Sequence, residues 1–166
     1  VGQSDRATNR VRDLRTSVLD RLRGHAPLTD RLEYVESITH GVDVIVPSFT
    51  TEKWRRDDGA ADPPDVVVPV MIVTGSSTRE NRKERINLTV QVGIEMTANT
   101  LGTRQDGNNL DLAWHDALRD EVSAVLTAHV SEWHADGETG GTPEPLWDDS
   151  ISRYRSVQRF DVSRYD

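Results

Sequence analysis

The chain has 166 residues, and its 28 Asp and Glu against 20 Lys and Arg give a formal net charge of −8. That length predicts one domain over residues 1–166, and the absence of cysteine excludes disulfides, thiolate metal sites and a Cys nucleophile. Hydrophobic residues make up only 35%, and even with the 11 glycines they fall short of the usual share of about 45–50%, so either the core is modest or apolar surface is buried against other subunits.

No apolar run approaches the roughly 18 residues of a membrane span, and no apolar stretch follows Val1-Gly2-Gln3-Ser4-Asp5 as a signal peptide would require. Val11, Leu14, Val18, Leu19 and Leu22 recur at helical spacing, predicting a helix over about 8–24 with Thr8 or Ser4 as N-cap and Gly24 as its stop. After Pro27, Leu28, Leu32, Val35 and Ile38 fit a second short helix capped by Thr29, ending at His40-Gly41. Residues 42–46 read as a strand. Residues 51–65, rich in Asp, Arg, Gly and Pro, read as a mobile loop. Val66 to Val73 reads as a strand apolar on both faces, and Pro69 makes it an edge strand or one with a bulge.

The clearest periodicity follows a charged turn at 79–85. Ile86, Leu88, Val90, Val92, Ile94 and Met96 alternate with Asn87, Thr89, Gln91, Gly93 and Glu95, predicting a long strand with one apolar and one wet face. Leu110, Trp114, Leu118, Val122, Val125, Leu126, His129 and Trp133 then trace one stripe of a helix over about 109–134, with Asn108 or Asn109 as cap. Residues 135–148, with three glycines and two prolines, read as a second mobile loop. Tyr154, Ser156, Gln158, Phe160 and Val162 share one face of a closing strand. This order predicts an α+β fold: a mixed or antiparallel sheet with an N-terminal helix and one long helix packed on its apolar face. Leu14, Leu88, Val90, Leu118 and Leu126 are expected in the core.

The charge is unevenly spread. Residues 1–98 carry net −1, residues 99–150 net −9 and residues 151–166 net +2. Such a chain lacks the basic face that grasps duplex DNA, but an acidic face suits the border of a channel through which DNA slides. Of the 20 basic residues 18 are Arg, and of the 28 acids 18 are Asp. An Asp-rich, Lys-poor surface is expected of a protein working in very high salt, where the roughly 3 Å Debye length removes self-repulsion; a GC-rich genome that favours Arg codons is the other reading.

No catalytic motif stands out. There is no phosphate loop, no nucleophile elbow and no His-Glu-x-x-His. His115 and His129 are too far apart on one helix to share a metal, and His129 and His134 miss the i, i+4 spacing. Asp106 to Asp111 lacks the glycine and bidentate glutamate of a calcium loop at the required spacings, and reads as a turn feeding a helix. The expectation is therefore a non-enzyme with no cofactor or metal. The candidate contact residues are Arg79, Arg82, Lys83 and Arg85 in the charged turn, together with Trp54 and Trp147. Exposed tryptophans in polar segments anchor interfaces or fold back on the core.

Three segments resemble the tail terminator (tail-completion) proteins of long-tailed viruses: the helix around Leu14-Arg15-Thr16-Ser17-Val18-Leu19, the strand pair Pro64–Val73 and Glu84–Val92 joined by a charged turn, and the helix Leu110–Trp133 followed by a closing strand. Residues 25–62 are longer than that pattern needs, and 135–148 has the look of an insertion. The resemblance implies a structural virion protein of the tail neck, assembled in the host cytoplasm. It would form a ring, a hexamer in this family, that caps the major tail tube protein, ends tube polymerisation and meets a head-connector protein while genome DNA passes through the lumen. The acidic composition adds a virus of halophilic archaea as host context. The alternatives are a head-side neck adaptor or stopper, a non-viral α+β protein-binding domain, and a metal-dependent enzyme using loop acids and a histidine.

Overall fold

The computed structural model describes residues 3–47, 64–80, 83–102 and 111–165. Helix α1 (Gln3–Arg23) leads into α2 (Ala26–Glu33), a 3-10 turn (Gly41–Val44) and a two-residue strand β1 (Ile45–Val46). Two long strands, β2 (Val66–Glu80) and β3 (Lys83–Met96), are followed by the short α3 (Ala98–Leu101), the longer α4 (Leu112–Leu126), and strands β4 (His134–Asp148) and β5 (Arg153–Tyr165). The five strands form one mixed sheet in the order β1-β2-β3-β5-β4. Only β1 is parallel to its neighbour; the other pairs are antiparallel. The fold is α+β, as the order of periodicities predicts.

Strand β3 lies at the centre, and its period-two pattern decides which face of the sheet is buried. Ile86, Leu88, Val90, Val92, Ile94 and Met96 are all buried. They stand level with Val66, Val70 and Ile72 on β2 and with Tyr154, Phe160 and Val162 on β5. Leu14, Val18 and Leu22 of α1, Leu28 and Leu32 of α2, and Leu118, Val122 and Leu126 of α4 complete one continuous apolar cluster on this face. The five core residues expected from periodicity are all buried. Face-to-face burial of this kind is the main stabilising term, worth roughly 1.5–3 kcal/mol per large side chain.

Several element boundaries differ from expectation. Helix α1 starts earlier, at Gln3. Helix α2 starts at Ala26, with His25 in the N-cap position and Pro27 in the first turn, where its missing N–H costs nothing. Thr29 is therefore inside the helix, its Oγ1 donating to the Ala26 carbonyl. Residues 41–44 form a 3-10 turn rather than strand, because Gly41 is pressed onto α2: a Cβ there would lie 2.3 Å from the Thr29 carbonyl oxygen. The Gly41 N–H donates to Glu33. In β2 the irregularity falls between Thr74 and Ser77, not at Pro69, which lies beside Val46 of β1. At Pro69 β2 is therefore not the edge strand that the proline led us to expect, since β1 lies outside it there; past that contact β2 is the rim of the sheet among the described residues.

Helix α4 is capped by Asp111, whose carboxylate accepts from the Trp114 N–H; Asn108 and Asn109, like most of the expected 51–65 loop, lie outside the described residues. The helix ends at Leu126, eight residues short of the expected stop. Trp133 continues the apolar stripe in sequence but not in the helix. The chain reverses after Thr127, so that the buried Trp133 indole N–H donates to the Leu126 carbonyl at 2.8 Å, satisfying one of the last-turn acceptors a helix leaves open. His129, also assigned to that stripe, is exposed.

The expected loop at 135–148 is strand β4. Glycine and proline report local preference, but hydrogen-bonding groups offered by β5 override it. The ladder absorbs the misfit in irregularities between Ala135 and Glu138, between Glu138 and Gly140, and between Thr142 and Leu146, the last of which spans Pro143 and Pro145. Gly141, at φ +122°, sits where a Cβ would strike the Val157 carbonyl.

Truncating the central aromatic, Phe160→Ala, is expected to lower stability by about 3–5 kcal/mol. Trp133→Phe, which keeps the ring and loses the N–H, should lower it by only about 1 kcal/mol. Urea denaturation at one fixed protein concentration measures both.

Candidate functional site

The predicted contact residues do not form one cluster. Arg79 and Lys83 lie at the free end of the β2–β3 hairpin, where Arg79 is opposite Glu84 and Glu80 opposite Lys83. Arg85 is two positions further along β3, half-buried, and its Nε has no hydrogen-bond partner among the described residues. Trp54 and Arg82 lie outside the described residues. Trp147 stands near the other end of the sheet, on the edge strand β4. It packs edge-on against Tyr154 at 5.1 Å, and its indole N–H donates to Asp149. It is still 48% exposed, so it both folds back and presents a face to solvent.

The outer face of the sheet at the hairpin end is polar and concave. A cleft of about 380 Å³ is lined there by Arg85, Asn87, Thr89, His134, Asp136 and Asp161. His134 pairs with Asp136 at 2.8 Å, both exposed. A second cleft, of about 570 Å³, lies between the C-terminal halves of α1 and α4, with Gly24, Ala124, Ala128 and Val130 in its wall. It is flanked by an Arg21–Glu132 ion pair at 2.8 Å and a His25–Glu121 contact at 2.6 Å.

Two polar clusters escaped the sequence analysis. Beneath α4, His115 is completely buried; one ring nitrogen lies 2.6 Å from the Ser156 hydroxyl and the other 3.0 Å from Asp116. Burial lowers its pKa, only partly opposed by Asp116. One turn on, Arg119 donates to Glu138 at 2.7 Å and to the Thr142 carbonyl, while the Gln158 amide donates to the Arg119 carbonyl. These contacts join α4 to β4 and β5. The order Asp116–His115–Ser156 imitates a hydrolytic triad, but Ser156 is fully buried and neither cleft reaches it. The chain of hydrogen bonds satisfies polar groups that the helix covers.

The second cluster corrects the reading of β3 as wet on its outer face. Glu95 is 1% exposed there, held by Arg155 at 2.7 Å, and Arg155 also reaches Asp148 at 3.3 Å. Burial raises the Glu95 pKa, with the Arg155 guanidinium pulling the other way. The second Glu95 carboxylate oxygen has no hydrogen-bond partner among the described residues. No sequence pattern signals either pair, because their members are brought together only by strand pairing.

Among the described residues no group of three or more His, Cys, Asp or Glu is placed to hold a metal ion, and no helix is long and apolar enough to cross a membrane. No protein-family model matches the chain. No curated protein matches it in sequence.

The buried groups give opposite pH signatures. The His115 pKa is depressed in the folded state, so its contribution is intact above about pH 6.5 and is lost as pH falls from there toward the folded value. His115→Gln should flatten the fall in thermal midpoint across that window. The Glu95 pKa is raised, so its ionisation costs stability as pH climbs from about 4.5 through the folded value. At neutral pH Glu95→Gln is therefore expected to match or exceed the parent in stability. Arg155→Ala, which strands the carboxylate, should lose on the order of 3 kcal/mol.

Proposed function

We propose that this protein is a structural subunit of a viral tail neck, a tail terminator that assembles with itself into a ring. The ring caps the major tail tube protein, stops its polymerisation and presents a surface to a head-connector protein. The observation that carries the reading is the architecture: an N-terminal helix, a long antiparallel strand pair ending in a charged hairpin, one covering helix and a closing strand, in the order that the sequence resemblance led one to expect.

Two physical features support it. Large apolar side chains are left exposed at the margins of the sheet, where association would cover them. Among the described residues the negative excess of 99–150 falls on α4, β4 and the segments beside them, as suits a subunit that borders a DNA passage. The five-strand sheet favours the terminator over a head-side adaptor built mainly of helices. The complete burial of Ser156 counts against reading Asp116–His115–Ser156 as a working hydrolytic triad.

Light scattering in about 2–4 M salt, where long-range repulsion between acidic subunits is screened while partly buried contact pairs are screened much less, tests the proposal. A single species of several subunits, with a central hole in negative-stain images, is the expected result; a stable monomer sinks the reading. The double reversal Arg79→Glu/Arg85→Glu is expected to shift that species to monomer while leaving the unfolding midpoint of the monomer unchanged. Full assembly by the double variant would show that the hairpin is not at a subunit contact.

A further inference from the structure

Among the described residues the sheet has two open edges, and they complement each other. Four of the seven exposed large hydrophobic residues among those described lie on the two marginal strands: Met71 (36%) and Val73 (43%) on β2, Leu146 (58%) and Trp147 on β4. Among the described residues, β2 is paired on its outer side only at Val68 and Pro69, by β1. On the outer side of β4 no strand is paired among the described residues. An unpaired edge with apolar side chains beside it is a template for strand addition.

Resting on the ring reading, we infer that the rim of β2 in one copy pairs antiparallel with β4 of the next copy, so that the sheet runs on from subunit to subunit, with the neighbour slid by about four residues toward the hairpin end. Strand direction allows it. β2 runs toward the hairpin end and β4 runs away from it, since both β2 and β5 oppose β3 and β4 opposes β5. Three separate features select the same slide.

The first is the apolar pair. Leu146 stands beside Arg155, level with Glu95 and Val67, four residues from the level of Met71. A displacement of about 13 Å sets Met71 against Leu146 of the neighbour, and an even number of residues keeps both on the same face. The second is β1. Without the slide, the C-terminal part of β4, level with residues 66–69 of β2, would meet β1; with it, Trp147 falls level with Val70, clear of that strand, and of β4 only the last residue, Asp148, reaches the level of Pro69. The third is charge. His134 stands level with Asn87, and the same displacement brings the start of β4 level with Arg79. β4 carries four acids and no Lys or Arg, and Asp136 near its start is exposed; residues 79–85 carry Arg79, Arg82, Lys83 and Arg85 against Glu80 and Glu84, a net +2. Such a contact is heterologous, with two different edges meeting, and it repeats from copy to copy until a rotation closes it into a ring.

The cysteine-free chain makes the test direct. Met71→Cys/Leu146→Cys, treated with a short bis-maleimide in high salt, is expected to give a ladder of covalent oligomers on a denaturing gel. Each single-cysteine variant should run as monomer. Dimer from Met71→Cys alone would replace the inference with symmetric β2–β2 pairing. A ring in solution with no ladder would overturn the edge contact and leave the ring standing; monomer in solution with no ladder would overturn both. A charge exchange provides the second arm. Leu146→Asp should lower the assembled fraction at least tenfold, and adding Met71→Lys should restore it. Loss on Leu146→Asp without restoration by Met71→Lys would place Leu146 against something other than Met71.

Discussion

The structure depends on the commitment of β3 to a single buried face. Its alternation from Ile86 to Met96 leaves one register open, because a slip of one residue would turn six apolar side chains outward and bring Asn87, Thr89 and Gln91 in. With that register set, β2 and β5 must place their own apolar positions level with it, and α1, α2 and α4 can only settle on the same side. A chain with a low apolar fraction can still fold in this way because nearly all of its large apolar residues go to one layer.

That layer is not purely apolar. His115 with Ser156, and Arg119 with Glu138 and Gln158, lie where α4 crosses β4 and β5. Burying such groups stabilises little by itself, but each has partners only in one docking of the helix, so a shifted helix would leave them unpaired at a cost of about 1–3 kcal/mol each. On the opposite face Glu95 and Arg155 link β3 to β5 in the same manner. His115, Ser156 and Glu95 at the centre of these clusters are buried, and their pairings fix how the layers meet.

The sheet is finished unevenly at its margins. β1 covers two residues of β2 and stops. β4 is interrupted by glycine, proline and three register irregularities, yet keeps Leu146 and Trp147 in solvent. Irregular, charged edges discourage indiscriminate strand pairing, whereas the exposed apolar side chains favour a specific one. In very high salt the long-range repulsion between acidic subunits is screened, and such short-range, shape-dependent contacts would decide assembly.

The sequence by itself determined the fold class, the central strand, the core face of α1 and α4, and the strand face of Tyr154 to Val162. Each rests on a periodicity, and a periodicity is local: it needs only the rise and twist of the element that carries it. Tertiary structure alone decided that 135–148 is a strand, since backbone groups in a glycine- and proline-rich segment take whatever partners β5 presents. It decided that α4 ends at Leu126, since Trp133 fills the apolar stripe equally well from a returning chain that also caps the helix. It brought His115 to Ser156, 41 residues away, and Glu95 to Arg155, 60 away, because strand register joins residues that carry no mark of each other in the linear order. The charge of −8 behaved in the same way: sequence located its excess in residues 99–150, and only the sheet order put part of that excess on an open edge, opposite in sign to the hairpin at the other margin.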